Sequence, residues 1–339
     1  MKPRLIIESH VPCIPDGLAG YFDIVRLAPG EFTPEAVADA DAMIVRTRTR
    51  CDASLLAGSK VKFIATATIG TDHIDLPWCA ANGITVASAP GCNAPAVAQY
   101  VFASLLTLFP DGLAGKTLGV VGVGHVGRIV VDWGRQLGMR VLMCDPPRAG
   151  QESDFNHTEL EALLPQADAV TFHVPLTADG PCATYHLADT RTLAMMRQGA
   201  VLINSARGEV VDNGALADAI EAGRIKGVID CWENEPEISR RLLQLVSIAS
   251  PHIAGYSLNG KIRATSMAVN ALCAFFDVDY RMRADIPAGA AERVTPTSIT
   301  SSYDPMTDTA ALRDAAAKPG FGASFESLRN NYNLRAEVK

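Results

Sequence analysis

A two-domain α/β protein with doubly wound parallel sheets is what this sequence predicts. Three observations carry the expectation. The chain has 339 residues, more than one ordinary core organises. Short apolar runs alternate with helical stretches over most of its length. A glycine-rich turn stands between a strand-like run and a helix. With 48% hydrophobic and 20% charged residues, the balance is globular rather than disordered.

The first strand candidates are Leu5–Glu8, Ile24–Leu27, Ala42–Arg46, Lys62–Ala65 and Ile84–Ala87. Each is short, mostly apolar and flanked by polar or turn-type residues, as strands buried on both faces are. They make one α/β unit, of flavodoxin-like type, over residues 1–93. The run Ala94–Phe109 is the most apolar, but its 16 residues include Gln99 and Tyr100. A membrane span needs about 20 apolar residues, so this run reads as a buried helix.

A second unit over 94–256 has strands expected at Thr117–Val121, Arg140–Cys144, Ala169–His173, Ala200–Ile203, Gly227–Cys231 and Val246–Ile248. One helix opens at the glycine turn and stops at Gly138, a fitting residue just past a helix end. Thr158 and Glu161 have the spacing of a capping box. Asp212 caps a helix that ends at Gly223. Six strands joined by helices make a complete dinucleotide-binding (Rossmann) sheet. Leu258–Phe276 reads as one helix returning to the first unit, so 257–280 joins 1–93 in a discontinuous domain. Residues 281–339 remain as a small C-terminal appendage. Within it 284–320 is rich in Ala, Pro, Thr, Ser and Asp, and a helix over Phe325–Glu337 carries Arg329 and Arg335.

A net charge of −7 and a pI near 5.5 exclude a nucleic-acid or anionic-membrane surface. Any anion must therefore be caught by local donors. The start, Met1-Lys2-Pro3-Arg4, lacks a signal-peptide core. The eight cysteines form no CxxC and no Cys/His ligand spacing, which fits reduced thiols in the cytoplasm and no metal site.

Gly122-Val123-Gly124-His125-Val126-Gly127 matches G-x-G-x-x-G after a strand and before a helix. The first glycine makes the tight turn and the second lets backbone approach a pyrophosphate. The third lets helix and strand pack closely, and the helix N-terminus supplies N–H donors. Asp145 lies 18 residues past Gly127, at the end of the next strand, where a carboxylate accepts ribose hydroxyls. It repels a 2′-phosphate, which favours NAD over NADP, although Arg148 close by leaves NADP open. A glycine turn that merely packs is the bland alternative, and strand, helix and acid at this spacing weigh against it.

Three residues lie just beyond successive strands: Arg207 in Asn204-Ser205-Ala206-Arg207-Gly208, Glu235 before Pro236, and His252 after Pro251. Ligands of such sheets bind outside the carboxyl ends of the strands. Oxidising a 2-hydroxy acid needs a base of near-neutral pKa, a carboxylate to fix its tautomer and a planar donor for the substrate carboxylate. His252, Glu235 and Arg207 are those types. Asp230 is near enough to hold a nicotinamide carboxamide. Singly, each could be an ordinary loop residue; together, on consecutive strands, they read as a site.

Gly-x-Gly-x-x-Gly, Asn-x-x-Arg-Gly, Asp-x-Trp-x-x-Glu-Pro and Pro-His-Ile-Ala-Gly together resemble the D-isomer-specific 2-hydroxyacid dehydrogenases. The resemblance implies an Arg–Glu–His triad on Arg207, Glu235 and His252, NAD as cofactor, a discontinuous substrate domain and a homodimer. Thr68-Ile69-Gly70-Thr71-Asp72-His73, Pro90-Gly91-Cys92-Asn93-Ala94 and His252-Ile253-Ala254-Gly255-Tyr256 are similar to the subgroup acting on a phosphorylated four-carbon hydroxy acid. By position it implies substrate contacts at Thr47, Thr68 and Tyr256. Cofactor contacts fall on Asp145, Val174, Ser205, Ala206, Arg207, Asp230 and Gly255. The family's dimerisation domain looks shortened in 281–339.

Such a substrate has two anionic ends, and Arg207 takes one. The phosphate is assigned to Arg46, with Arg48 or the partner's Arg329 or Arg335 in support. The motive is Arg46-Thr47-Arg48-Thr49-Arg50 at a strand end in an acidic protein, its arginines on one side if the segment stays extended. Two rivals stay open. One is a relative acting on 3-phosphoglycerate, glycerate or lactate; the other is an NAD-sensing protein with a degenerate site.

Overall fold

The computed structural model describes residues 2–285 and 293–338. Contacts divide the chain into two compact units, Met1–Asn93 with Ser257–Pro287 and Ala94–Tyr256 with Ala288–Lys339. Part of the expected appendage, 286–292, lies outside the described residues.

The first unit is a five-stranded parallel sheet of β1 (Arg4–Glu8), β2 (Asp23–Leu27), β3 (Ala42–Val45), β4 (Phe63–Thr66) and β5 (Thr85–Ala87). Its order is β2-β1-β3-β4-β5. Successive residues of β1, β3 and β4 are buried because both faces are covered. Leu5, Ile7, Ile44, Phe63 and Ala65 face one core with Ala264, Ala268, Val269 and Leu272 of the helix Leu258–Phe275. Burying each large aliphatic chain contributes about 1.5–3 kcal/mol. Ser257 starts that helix by accepting the N–H of Gly260 at 2.9 Å.

The arginine cluster departs from the extended arrangement. β3 stops at Val45, and the N–H of Arg46 goes to the buried carboxylate of Glu8 (2.9 Å) instead of a neighbouring strand. A turn follows, closed by the N–H of Thr49 on the carbonyl of Arg46 (3.2 Å). Alternation therefore does not hold over 46–50. Arg46 is half-buried and donates to the carbonyl of His10 (3.2 Å); Arg48 and Arg50 are exposed, and Arg50 pairs with Asp52 at 2.6 Å.

The second unit is a six-stranded parallel sheet: β6 (Thr117–Val121), β7 (Arg140–Cys144), β8 (Ala169–Phe172), β9 (Val201–Asn204), β10 (Lys226–Ile229) and β11 (Ile248–Ala249). Its order is β11-β10-β9-β8-β6-β7. The direction of winding reverses between β6 and β8, the switch point at which such sheets bind ligands. The helix Ala94–Leu108 is buried along most of its length, as its composition requires. The expected capping box is absent. The N–H of Thr158 bonds the carbonyl of Met143 (2.7 Å), and the helix Leu160–Leu163 begins after Glu159 without a side-chain cap.

The C-terminal residues are woven into this second unit. Helices run over Pro296–Ser302, Pro305–Ala316 and Phe321–Asn330. Leu312, Ala315, Ala316, Phe321 and Phe325 share a core with Trp232, Leu242 and Val246. Ile299, Tyr303 and Val338 join the opposite core with Tyr100 and Ile248. Thr309 Oγ1 accepts the N–H of Ala249 (3.0 Å), which satisfies the outer edge of β11. The last helix starts four residues before the expected Phe325 and ends at Asn330, so Arg335 lies on non-helical chain.

Candidate active site

The glycine turn is built so that a side chain would destroy it. Gly122 has φ +87°, and a Cβ there would lie 2.8 Å from the His173 carbonyl and from Val174 Cγ1. A Cβ on Gly127 would collide with the carbonyl oxygen of Gly122. Gly124 faces open space, and no side chain caps the helix His125–Gln136 that starts after it. This leaves the first-turn N–H groups, those of His125, Val126 and Gly127, suited to a diphosphate. Val174 packs on Gly122 across the switch point. We expect Gly127→Ala to weaken NADH binding roughly 10–100-fold, since overpacking of about 1–3 kcal/mol falls on the binding loop. Fluorescence titration with NADH checks this.

Asp145 closes the turn. One carboxylate oxygen accepts the N–H of Val123 (2.8 Å) and the other that of Arg148 (3.1 Å), which fixes the carboxylate at the end of β7. The Arg148 side chain is committed elsewhere: to both oxygens of Glu152, to the carbonyl of Val123 (2.8 Å) and over the Phe155 ring (4.4 Å). Arg148 is thus paired with its own helix neighbour rather than held ready for a 2′-phosphate, which agrees with the expected preference for NAD. A cavity of about 440 Å³ lies beside this loop, with Val123, Arg128, Phe155 and Asn156 in its lining. Glycine cradle, uncapped helix and fixed carboxylate together fit a dinucleotide.

The second cluster lies at the carboxyl ends of β9, β10 and β11, adjacent parallel strands. Asp230 is 1% exposed and organises it. Its Oδ1 accepts from Ser250 Oγ (2.7 Å) and the N–H groups of Ile253 (2.7 Å) and Ala254 (3.0 Å). Its backbone carbonyl accepts the N–H of His252 (2.9 Å). These bonds hold His252 at φ +57°, a left-handed conformation that ordinary residues avoid at a cost of about 1–2 kcal/mol. Asp230, expected to meet a carboxamide, bonds Ser250 and the backbone mainly through Oδ1 and so presents His252.

His252 Nδ1 is 2.9 Å from Glu235 Oε2 and 3.1 Å from Oε1. An ionised carboxylate only accepts, so Nδ1 carries the proton and Nε2 is left as the base. Glu235 is held in turn by the N–H of Trp232 (2.9 Å), and the Trp232 indole donates to the carbonyl of Ser250 (2.9 Å). Burial pushes the Glu235 carboxyl up, but His252 and the Trp232 N–H pull it further down, to a net value below the ordinary one. Burial likewise lowers His252, while Cys231 and Glu235 raise it, and the net lies well above the ordinary imidazole. Cys231 itself is kept protonated by burial, so the carboxylate is the cause we assign to the rise.

Arg207 follows β9 in a loop braced by Asn204, whose side chain accepts the N–H of Ala206 (3.1 Å) and donates to the carbonyls of Arg207 (2.8 Å) and Cys231 (3.3 Å). Gly208 abuts Trp232 so closely that a Cβ would strike its carbonyl. The loops carrying Arg207 and Glu235 are thus locked to each other. Arg207 is half-buried, and one of its nitrogens donates to the carbonyl of Ala206 (2.8 Å). Ser205 and Ala206 lie in this loop, and Gly255 and Tyr256 follow His252. The Tyr256 ring meets Tyr332 edge-on, centroids 6.0 Å apart.

In the first unit Thr68 follows β4, its hydroxyl bonded to Thr66 (2.6 Å) and to the carbonyl of Gly70 (3.1 Å). Thr47 is exposed in the turn after Arg46. Arg335, expected to serve a partner, is buried in its own chain. It donates to the carbonyls of Ile253 (3.3 Å), Ala96 (3.2 Å) and Ala254. Sequence reading missed Asn204, Ser250 and Trp232 as braces and Arg335 as a clamp, since only burial reveals them. Among the described residues no His, Cys, Asp or Glu cluster could hold a metal, and no helix is long and apolar enough to cross a membrane.

Residues 99–254 match the profile of the D-isomer specific 2-hydroxyacid dehydrogenase NAD binding domain. The chain is 45% identical over 343 residues to the erythronate-4-phosphate dehydrogenase of Bacteroides fragilis (strain YCH46), covering 98% of this chain and 97% of that one. It is 43% identical to that of Escherichia coli (strain ATCC 8739), with 98% and 92% covered. Among solved structures it is similar to D-lactate dehydrogenase of Aquifex aeolicus in complex with NAD and lactic acid. That match has a TM-score of 0.66, 27% identity, and coverage of 81% of this chain and 96% of that one. NAD-bound 3-phosphoglycerate dehydrogenase of Entamoeba histolytica shares the fold, with a TM-score of 0.69, 23% identity, and 84% and 99% covered.

Proposed function

As the chain belongs to the erythronate-4-phosphate dehydrogenases, a branch of the D-isomer-specific 2-hydroxyacid dehydrogenases, we propose that it oxidises 4-phospho-D-erythronate with NAD. The product is 3-hydroxy-2-oxo-4-phosphobutanoate, in pyridoxal 5′-phosphate biosynthesis. The observation that carries this reading is the Glu235–His252 pair beside the Arg207 loop, on the same sheet as an intact dinucleotide cradle.

Gly122, Gly124, His125, Val126, Gly127 and Asp145 hold the diphosphate and ribose, with Val174, Ser205, Ala206, Arg207, Asp230 and Gly255 as further cofactor residues. These residues would hold NAD, which when bound would supply the acceptor for the hydride of the carbinol carbon. Arg207 orients the substrate carboxylate, and its fork suits two parallel bonds to it. His252 Nε2 takes the hydroxyl proton as the carbon is oxidised. Glu235 stabilises the imidazolium that results and fixes the ring's tautomer. Thr47, Thr68 and Tyr256 contact the substrate, and Arg46 is the cation for its phosphate. The homodimer and the cytoplasmic location belong to the same proposal; in support of the latter, no disulfide joins cysteines among the described residues.

The reading is tested by NADH formation with 4-phospho-D-erythronate against 3-phosphoglycerate, D-lactate and D-glycerate. Selective turnover of the first supports it. Turnover of another acid alone would keep the mechanism and change the substrate, and no turnover with any would favour the sensor. A pH dependence is also expected. Oxidation needs neutral His252, so kcat/KM falls as pH drops through a His252 pKa that lies well above that of an ordinary imidazole. Glu235→Gln removes the raising charge, so this acid limb moves to lower pH while kcat drops about 100-fold. A kcat/KM profile of both proteins checks the sign.

A further inference from the structure

Arg329 stands on the last helix, far along the chain from the catalytic loops. Its Nη1 is 3.8 Å from Glu235 Oε2 and donates to Glu326 Oε1 at 3.1 Å. The first distance is too long for a hydrogen bond and short enough for a charge to be felt. The side chain is 18% exposed, so water screens it little. Its seat is built, not incidental. Gly322 lets the helix press on the segment after Glu235: a Cβ there would strike Glu237 and lie 3.5 Å from Pro236. Phe321 and Phe325 anchor the same helix in the core. Beyond it, Arg335 clamps the carbonyls of Ile253 and Ala254 and lies over the Tyr303 ring at 4.3 Å. Asp308 accepts the hydroxyls of Tyr303 (2.7 Å) and Tyr332 (3.2 Å) and so braces the clamp. One segment thus grips both ends of the Glu235–His252 pair.

We propose that Arg329 is a positioning residue for this dehydrogenase. From the C-terminal helix it supplies the cation that keeps Glu235 ionised and turned to His252, so the C-terminal segment is part of the catalytic apparatus of its own chain. The proposal rests on the dehydrogenase reading only for the kinetic half of its test. The electrostatics agree. Against the rise that burial causes, Arg329 is among the groups that lower Glu235, after His252 and the Trp232 N–H. The other titratable or charged groups facing Glu235, His252 and Arg329 are Asp230, Cys231, Tyr256 and Glu326. All of them stay in place when Arg329 is replaced.

The sign follows. Without the Arg329 cation, the imidazolium of His252 is left facing Glu235 with one neighbouring positive charge fewer and keeps its proton to higher pH. The acid limb of oxidation therefore moves upward.

The test compares Arg329→Gln, Arg329→Lys and Glu326→Gln with the wild type. The readouts are kcat and KM against pH, NADH binding, and the His252 titration by NMR of histidine-labelled protein. In Arg329→Gln, kcat is expected to fall about tenfold with KM nearly unchanged, and the His252 titration to move up. Arg329→Lys restores the titration. Glu326→Gln frees Arg329 for Glu235 and moves the acid limb down, an effect that survives even if Arg329→Gln does not fold. Equal losses in Gln and Lys with an unmoved titration would overturn the proposal in favour of a packing role. A raised KM with intact kcat would overturn it in favour of a substrate-anion ligand. The NMR readout needs no turnover, so a failed substrate assignment remains distinguishable from a failed role for Arg329.

Discussion

His252→Asn lowers kcat for hydroxy-acid oxidation by about a hundred- to ten-thousandfold and leaves NADH binding within about twofold. The loss is large because one group both accepts the hydroxyl proton and carries its charge. Asparagine fills similar space but has no basic nitrogen. Its left-handed backbone preference matches φ +57° at this position, so the loop held by Asp230 is kept and the substitution isolates the chemistry. NADH binding is spared because the glycine cradle follows β6, whereas His252 follows β11, at the far edge of the sheet. Single-turnover kinetics with bound NADH and the keto acid read the same loss in reverse. A variant that kept its kcat would remove His252 from the reaction.

The second large effect falls on Arg207. Arg207→Lys keeps the charge, yet kcat/KM is expected to drop about 100-fold, because an ammonium cannot make two parallel bonds to a carboxylate. Arg207→Ala should lose roughly ten times more. The loop itself should survive either change. Asn204 braces it through backbone groups of Ala206 and Arg207, and Gly208 holds it against Trp232; none of these uses the guanidinium. A thermal melt matching the wild type, beside steady-state kinetics with the phosphorylated acid, separates lost orientation from lost fold.

What the sequence disclosed and what it hid divide along one physical line. The cradle was legible because strand, glycines and helix are contiguous, and Gly122, Gly127 and Asp145 each have a local geometric reason to be what they are. Arg207, Glu235 and His252 were legible as strand-end residues, and parallel packing of β9, β10 and β11 did the rest. Asp230 was visible in the sequence as a cofactor residue, but its bonds to Ser250, Ile253 and Ala254, which present His252, are known only from the folded structure. Local patterns failed where a distant group competed for the backbone. Thr158 gave its N–H to Met143 and not to a cap. Arg46 gave its own to Glu8, which ended β3 and broke the alternation of the arginine cluster. The C-terminal segment reads as a weakly patterned tail because its scattered apolar residues pack against the second unit's core rather than forming one of their own. For the same reason Arg329 and Arg335 were offered to a partner's phosphate and not to contacts within their own chain.

The central claim, that the hydride leaves C2 of 4-phospho-D-erythronate for NAD while His252 takes the proton, meets its most direct test in substrate deuterated at C2. Mass spectrometry of the reduced cofactor after one turnover should find one deuterium in its nicotinamide ring, formed more slowly than with unlabelled substrate and at least about a hundredfold more slowly still with His252→Asn. Reduced cofactor that carries no deuterium, or label transfer undiminished in His252→Asn, would contradict it.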